Sequence, residues 1–283
     1  RRLIYIVHGR AYESMRGAKR WLLSRLDKLV CRLARVVSPV CGELGERLVG
    51  EGLCPREKIR LVAHGSCTGV NLEKFEPSEE MARQAAEMRE QRGIPANALV
   101  LLYLGRLTRD KGVKELLRAF GNLAVEHGHV HLLAVGSSDQ RAPLPANVES
   151  ALDGHPRIHL LGWQDDPARC YATADVVVLP SYREGFGLTM IEAAAMGKPV
   201  VATDIMGLRE AVEKDVTGLL VPSRDVASLQ AALARVIEQP DLRERLGAAG
   251  RRRAAELFDS RRVWEEIARL YFDVAGKTPP EEA

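Results

Sequence analysis

Aromatic residues are scarce in this chain, at 5% of 283 positions. With few rings to stack on bases and no recognition motif, nucleic acid is excluded as the expected partner. There is no C-x-x-C pair. The five cysteines, Cys31, Cys41, Cys54, Cys67 and Cys170, are odd in number and irregularly spaced. That excludes a disulfide framework and a zinc site, and reads as reduced cytosolic thiols. No apolar run approaches the roughly 20 residues of a membrane helix. Leu3 to Val7 is too short for a secretory signal. The expectation is a cytoplasmic protein, with the inner face of the cell membrane as its place of work. Internal repeats, low-complexity tracts and a D-x-D that would hold a metal are all missing.

What remains is a globular composition, 46% hydrophobic and 28% charged, at a length that suits two domains. The net charge of +3 is unevenly placed. Residues 1–76 hold 15 Lys and Arg against 8 Asp and Glu, and the remainder 26 against 30. A basic first part suits an anionic partner, either a lipid surface or a diphosphate group.

The most informative stretch is 174–222. Val176 to Leu179 is a short β-branched run that reads as a buried parallel strand. A loop from Ser181 to Gly187 follows, then a helix from about Leu188 to Met196, ended by Gly197 and Pro199. Val200 to Ala202 is the next strand. In open α/β sheets, ligands bind where such strands end. Gly185 and Gly187 let backbone approach a ligand closely. The free N–H groups around Gly187, Leu188 and Thr189 suit phosphate. Glu184 lies in the loop, and Glu192 about one helical turn in, where its carboxylate can accept from a vicinal diol. Either acid alone fits an ordinary surface loop or helix. Strand, glycines and both acids together point to a phosphorylated, hydroxyl-rich ligand such as a sugar nucleotide.

The other strands of this half read as Leu99 to Leu104, Val130 to Val135, Arg157 to Leu161 and Gly218 to Val221. Helical stretches Val113 to His127, Pro167 to Thr173 and Leu208 to Lys214 lie between strands. Six parallel strands with crossover helices predict a Rossmann-like sheet of order 3-2-1-4-5-6. Its switch point falls between the first and fourth strands. Gly105-Arg106 with Lys111-Gly112 then faces the same crevice as Glu184, and Arg106 and Lys111 bring positive charge for a diphosphate. Trp163 and Gln164 end the third strand beside that crevice. Trp163 is able to stack on a base, and equally to serve as an ordinary exposed or core residue.

Before this half come a strand at residues 1–7, a helix over 15–35, a strand at Arg35 to Ser38, a helix at Cys41 to Glu51 and a strand at Ile59 to Ala63. The helix over 15–35 places Trp21, Leu22, Leu26, Leu29, Val30 and Leu33 at helical spacing and carries Arg or Lys at seven other positions. A basic amphipathic helix of this kind suits an anionic membrane surface as well as a domain face. A polar linker with a helix at about Ser78 to Gln91 joins the halves. Arg251 to Arg253 reads as a solvated helix face. The last helix, Ser260 to Val274, carries Val263, Trp264, Ile267, Leu270 and Tyr271 on one side.

Glu184-Gly185-Phe186-Gly187-Leu188 through Glu192 resembles the E-x7-E signature of retaining GT-B glycosyltransferases, the large group 1 family. Gly197 to Ala202 and Gly218 to Val221 match its continuation. His64-Gly65-Ser66 through Gly69-Val70 and Phe75 resembles its interdomain crossover, with Asn71 in place of the usual Asp. The form of that crossover is shared with members acting on polyprenyl-diphosphate-linked sugars. Gly105-Arg106 and Lys111-Gly112 resemble its donor-phosphate motif. The resemblance covers nearly the whole chain.

It implies an α/β fold of GT-B type with two Rossmann-like domains, the N-terminal one incomplete because the chain opens without Met inside a strand. The expected division is 1–76 as the remaining part of an acceptor-side domain and 77–97 as linker. Residues 98–258 form the nucleotide-sugar domain, 259–276 a helix returning to the N-terminal domain, and 277–283 a disordered tail. The resemblance puts His8 in the cleft near donor sugar and acceptor. Donor contacts fall on Gly105, Arg106, Lys111, Trp163, Gln164, Glu184, Gly185, Phe186, Gly187, Leu188, Thr189 and Glu192. Catalytic roles fall on His8, Arg106, Lys111 and Glu184, with neither metal nor cofactor. The implied reaction moves a sugar, most simply from a UDP-sugar, to a lipid-linked or polysaccharide acceptor hydroxyl with retention. No carboxylate is placed as a nucleophile, which favours front-face transfer. A non-catalytic sugar-nucleotide-binding subunit and a GT-B epimerase or phosphorylase are alternatives.

Overall fold

The computed structural model describes residues 2–10, 12, 15–139 and 143–278. The chain opens with β1 (Ile4–Val7), α1 (Gly17–Leu33), β2 (Val36–Pro39) and α2 (Gly42–Gly50). After the linker helix α3 (Glu79–Gln91) come β3 (Leu99–Leu104), α4 (Val113–Glu126), β4 (Val130–Val135), α5 (Ala146–Gly154), β5 (Ile158–Leu161) and α6 (Ala168–Thr173). Then follow β6 (Val176–Leu179), α7 (Leu188–Ala195), β7 (Val200–Thr203), α8 (Leu208–Ala211), β8 (Gly218–Val221), α9 (Val226–Glu238), α10 (Pro240–Leu257) and α11 (Ser260–Ala275).

The second half is a six-stranded parallel sheet of order β5-β4-β3-β6-β7-β8. This is the expected doubly wound order. Its central strands have both faces covered, which is why LVLLYL, VHLLAV and VVVL read as unbroken apolar runs: Val100 to Tyr103 and Val176 to Val178 are fully enclosed. α4 shows how helices cover the faces. Val113, Leu116, Phe120 and Leu123 recur at helical spacing and are buried, with α9 packed alongside. The helix starts at Gly112 with φ +71°, where a side chain would collide with the Pro180 carbonyl. Glycine there lets the turn after β3 press against the end of β6.

The first half holds a two-stranded parallel sheet, β1 beside β2. The strand expected at Ile59 to Ala63 is absent: Ile59 makes one bridge to Val37, and the chain turns into a short 3-10 segment at Ala63–Gly65. Ala63 and His64 take left-handed φ of 48° and 53°, which no strand continues through. Of the two readings open for α1, packing of its apolar stripe on the domain does not hold. Among its residues only Cys31 is buried, while Trp21, Leu22, Leu26, Leu29 and Leu33 are exposed. The inner face instead carries Asp27, which accepts from the hydroxyls of Tyr5 and Tyr12.

The crossover ties the halves together. Asn71 Oδ1 accepts from Lys74 N–H at 3.1 Å, the turn-closing bond that an Asp would make. Val70 N–H donates to the Phe258 carbonyl, and Ser260 N–H donates back to Val70. α11 then lies against 62–65, with Val263, Ile267 and Val274 buried and the Ala63 N–H donating to Glu266. Trp264 and Tyr271, expected on the packed side, are exposed. Of the tail, 279–283 lies outside the described residues.

Candidate active site

The carboxyl ends of β3 and β6 part at the switch point, and a crevice of about 300 Å³ opens beside them. Seven of the residues read from the sequence line it: Gly105, Arg106, Trp163, Gln164, Leu188, Thr189 and Glu192. Six more were not legible: Leu104, Val135, Gly136, Ser137, Asp165 and Pro167. Half of the missed group is the end of β4 and the turn after it, Val135, Gly136 and Ser137. Pairing of β4 with β3 brings it in, through bonds from Leu107 N–H to the Ser137 carbonyl and from Gly136 N–H to the Gly162 carbonyl. Its Gly-Ser-Ser composition, directly after an apolar strand, was the available signal.

Among the described residues that line the crevice Arg106 is the one cation; Lys111, Glu184, Gly185, Gly187 and His8 do not line it. Lys111 Nζ lies 2.6 Å from Glu184 Oε1, both side chains about 15% exposed. Ser181 Oγ donates to the same oxygen at 2.9 Å. Arg106 pairs with Asp139 at 2.8 Å while remaining half exposed. The carbonyl of Arg106 accepts from the buried Tyr103 hydroxyl at 2.6 Å, which fixes the turn that carries the arginine.

Glu192 lies deeper. Its Oε2 accepts from the Tyr171 hydroxyl at 2.6 Å. Burial pushes its carboxyl above the usual range, opposed by that hydrogen bond and by the Lys74 charge. Leu188 and Thr189 open α7 on the crevice wall. Gly187 caps that helix at φ +85°. Phe186 turns the other way, edge-on to Phe258 at 5.4 Å in the core, so its side chain packs the loop and does not line the crevice. Trp163 is 70% exposed and donates to Asp165 at 2.9 Å. That sets it as a flap at the rim, and not as a core residue.

His8 comes from the other half. Its ring is exposed, with Nδ1 3.6 Å from Cys67 Sγ. Its carbonyl oxygen lies so close to Gly185 that any side chain there would overlap it. The loop bearing Glu184 and the end of β1 therefore meet backbone to backbone. Farther along the same seam, Glu210 accepts from Gly42 N–H at 2.7 Å, and Arg209 pairs with Glu43 at 2.7 Å.

Two parallel α/β sheets facing each other, with a ligand-sized crevice at the switch point of the second, define the GT-B glycosyltransferase class. The chain belongs to the family of glycosyl transferases group 1, whose model matches residues 84–253. Among similar proteins is the capsular polysaccharide biosynthesis glycosyltransferase CapM of Staphylococcus aureus, 29% identical over 95% of this chain and 69% of its own. A D-inositol 3-phosphate glycosyltransferase of Saccharomonospora viridis is 37% identical over 72% of this chain and 48% of its own. The chain thus spans about half the length of that relative. Among solved structures, sucrose-phosphate synthase from Thermosynechococcus elongatus superposes with TM-score 0.79 at 29% identity, over 96% of this chain and 68% of its own. Anabaena Alr3699/HepE in complex with UDP and glucose superposes with TM-score 0.80 at 22% identity, over 95% and 70%. At that identity the likeness speaks for the fold.

Proposed function

We propose that the protein to which this chain belongs transfers a sugar from a UDP-sugar to an acceptor hydroxyl, with retention, in the synthesis of a cell-surface polysaccharide or glycolipid. One observation carries the reading: a single crevice is lined by a cation, Arg106, and a carboxylate, Glu192, with the Lys111–Glu184 pair on the turns that leave β3 and β6 beside it. The cations suit a diphosphate and Glu192 a ribose diol. The HepE complexes with UDP and the polysaccharide role in the CapM name support the same donor and setting.

In this reading Glu192 accepts from the ribose hydroxyls, and the first N–H groups of α7 together with Lys111 and Arg106 meet the diphosphate. Lys111 has three N–H donors and spends one on Glu184. It can hold the departing diphosphate without leaving that partner. The charge on the diphosphate grows as the glycosidic bond breaks, so these cations act most strongly in the transition state. Glu184 takes the donor sugar, and His8 borders the reacting face. Glu184 is read as a donor-sugar ligand and no carboxylate is assigned as a nucleophile, so the reading takes front-face attack. The helix α1 leaves an apolar stripe and a set of cations exposed, a surface suited to an anionic lipid bearing the acceptor.

The test is calorimetry of this chain with UDP, GDP and ADP, followed by a donor panel on the full-length protein with the product anomer determined. Binding of UDP and an anomer matching the donor are expected. No binding of any nucleoside diphosphate at millimolar concentration overturns the site. An inverted product overturns the retaining mechanism.

A further inference from the structure

Tyr171 has no part in the reaction above, yet it touches the group assigned to the ribose. It sits in α6 with its side chain fully enclosed. Phe75 of the crossover holds its ring edge-on, at 5.8 Å and 73°. Its hydroxyl donates to Glu192 Oε2 at 2.6 Å, with the Thr189 carbonyl farther off at 3.4 Å, and this is the one side-chain hydrogen bond to that carboxylate among the described residues. Burial and the neighbouring carboxylate push the phenol well above its ordinary range, so it remains a donor. The terminal torsion of a glutamate is broad. Without an anchor, the plane of this carboxylate would be set only by loose packing.

We propose that Tyr171 is a positioning residue for nucleotide recognition: its hydroxyl occupies one oxygen of Glu192 and leaves the other turned to the crevice for a vicinal diol. A phenol suits the task better than a cation. It fixes direction while leaving the full negative charge available to the ligand, where Lys or Arg would neutralise it. Two other groups bear on the same carboxylate: the Lys74 ammonium, and Asp166, which pairs with Lys74 at 3.2 Å. The inference rests on the ribose reading of Glu192.

The experiment compares UDP with 2′,3′-dideoxy-UDP, which carries the same base and phosphates but no diol. Calorimetry on the wild-type chain, Tyr171→Phe and Glu192→Gln, each from pH 5 to 8, gives the readout. Tyr171→Phe removes one oxygen and keeps the ring against Phe75. It should weaken UDP about tenfold, the size expected for loss of a hydrogen bond to a charged group, and dideoxy-UDP less than twofold. Its acid limb of UDP binding, taken relative to dideoxy-UDP, should move to higher pH, because the carboxylate has lost the donor that favours its ionised form. A purely structural role would weaken both ligands alike and leave that limb in place, and either result overturns the proposal. If Glu192→Gln weakens UDP and dideoxy-UDP by the same factor, the ribose reading itself has failed. Incorporation of 3-fluorotyrosine at position 171 keeps ring and hydroxyl and guards against misfolding of the Phe variant. It should hold UDP affinity within twofold and move the acid limb to lower pH. An unmoved limb there also counts against the proposal.

Discussion

Lys111 and Glu184, 73 residues apart in sequence, form an ion pair of 2.6 Å at the point where β3 and β6 diverge. Ser181 adds a second donor to the same carboxylate oxygen. The two residues read separately as a phosphate cation and a sugar-binding acid are therefore one unit before any ligand arrives. Removing either leaves the other partly buried and uncompensated.

This separates the two cations experimentally. Arg106→Ala in the full-length enzyme should lower kcat about a hundredfold, the scale for losing one charged donor in such a site, with Tm unchanged because Arg106 is half exposed. Lys111→Ala should lower kcat as much and also lower Tm by a few degrees, since Glu184 is stranded. Steady-state kinetics with calorimetric melting checks both. Equal melting temperatures for the two variants would show that the pair carries no stability.

The two glutamates of the E-x7-E motif should part in the same way. Glu192→Gln should weaken bare UDP by about ten- to a hundredfold, the value of a charge-assisted hydrogen bond. Glu184→Gln should leave UDP binding within about threefold, since the partner proposed for it is the donor sugar, and reduce sugar transfer. Titration with UDP beside a transfer assay measures the split. If the Glu184 variant loses UDP as severely as the Glu192 variant does, the roles are misassigned.

Gly185 meets the His8 carbonyl with no room for a methyl group. Gly185→Ala forces two backbones apart, at a cost of about 1–3 kcal/mol if the seam holds. The expected outcome is loss of at least tenfold in transfer by the full-length enzyme with near-normal UDP affinity. The crevice lies wholly on the six-stranded half, and only the approach of His8 changes. Normal turnover in this variant would place the reacting face elsewhere.

A pH effect follows from the far end of the sheet. His131 on β4 is buried, stacked on His159 of β5 at 5.2 Å, with ring nitrogens 2.9 Å apart. Burial, then His159 and Arg157, push its pKa down to about 4. A histidine depressed in the folded state is neutral there while the unfolded chain takes up a proton near pH 6.5. Stability is therefore full above that value and is lost as pH falls from about 6.5 towards about 4. Thermal melts at pH 7.5 and 5.0 should show a fall larger by roughly 5 °C in the wild type than in His131→Gln. Equal falls would remove His131 as the cause.

The sheet order and all six of its strands could be read from the sequence to within one residue at either end, because strands covered on both faces must be continuous apolar runs. β5 began one residue late, at Ile158. The helices α5 and α9 escaped the reading, α10 was read only at Arg251 to Arg253, and the covered side of α11 was read in part, at Val263 and Ile267. A helix face is legible only if one stripe is buried, and on α1 the apolar stripe is the exposed one. Ile59 to Ala63 had strand composition, but the left-handed turn at Ala63 and His64 is set by how the crossover meets the start of α2, which no local pattern encodes.

The chemical content of the crevice divides along the same line. Residue type, strand order and the family resemblance nominated Arg106, Lys111, Glu184 and Glu192, because charges and glycines at turns after strands suit phosphate and hydroxyl groups. Which of them touch was decided only by the fold. The joining of Lys111 to Glu184, of Tyr171 to Glu192, and of His8 to Gly185 spans 73, 21 and 177 positions of sequence. Such contacts depend on strand order and on the seam between two sheets. Both are consequences of long-range packing, and neither is a property of any one segment.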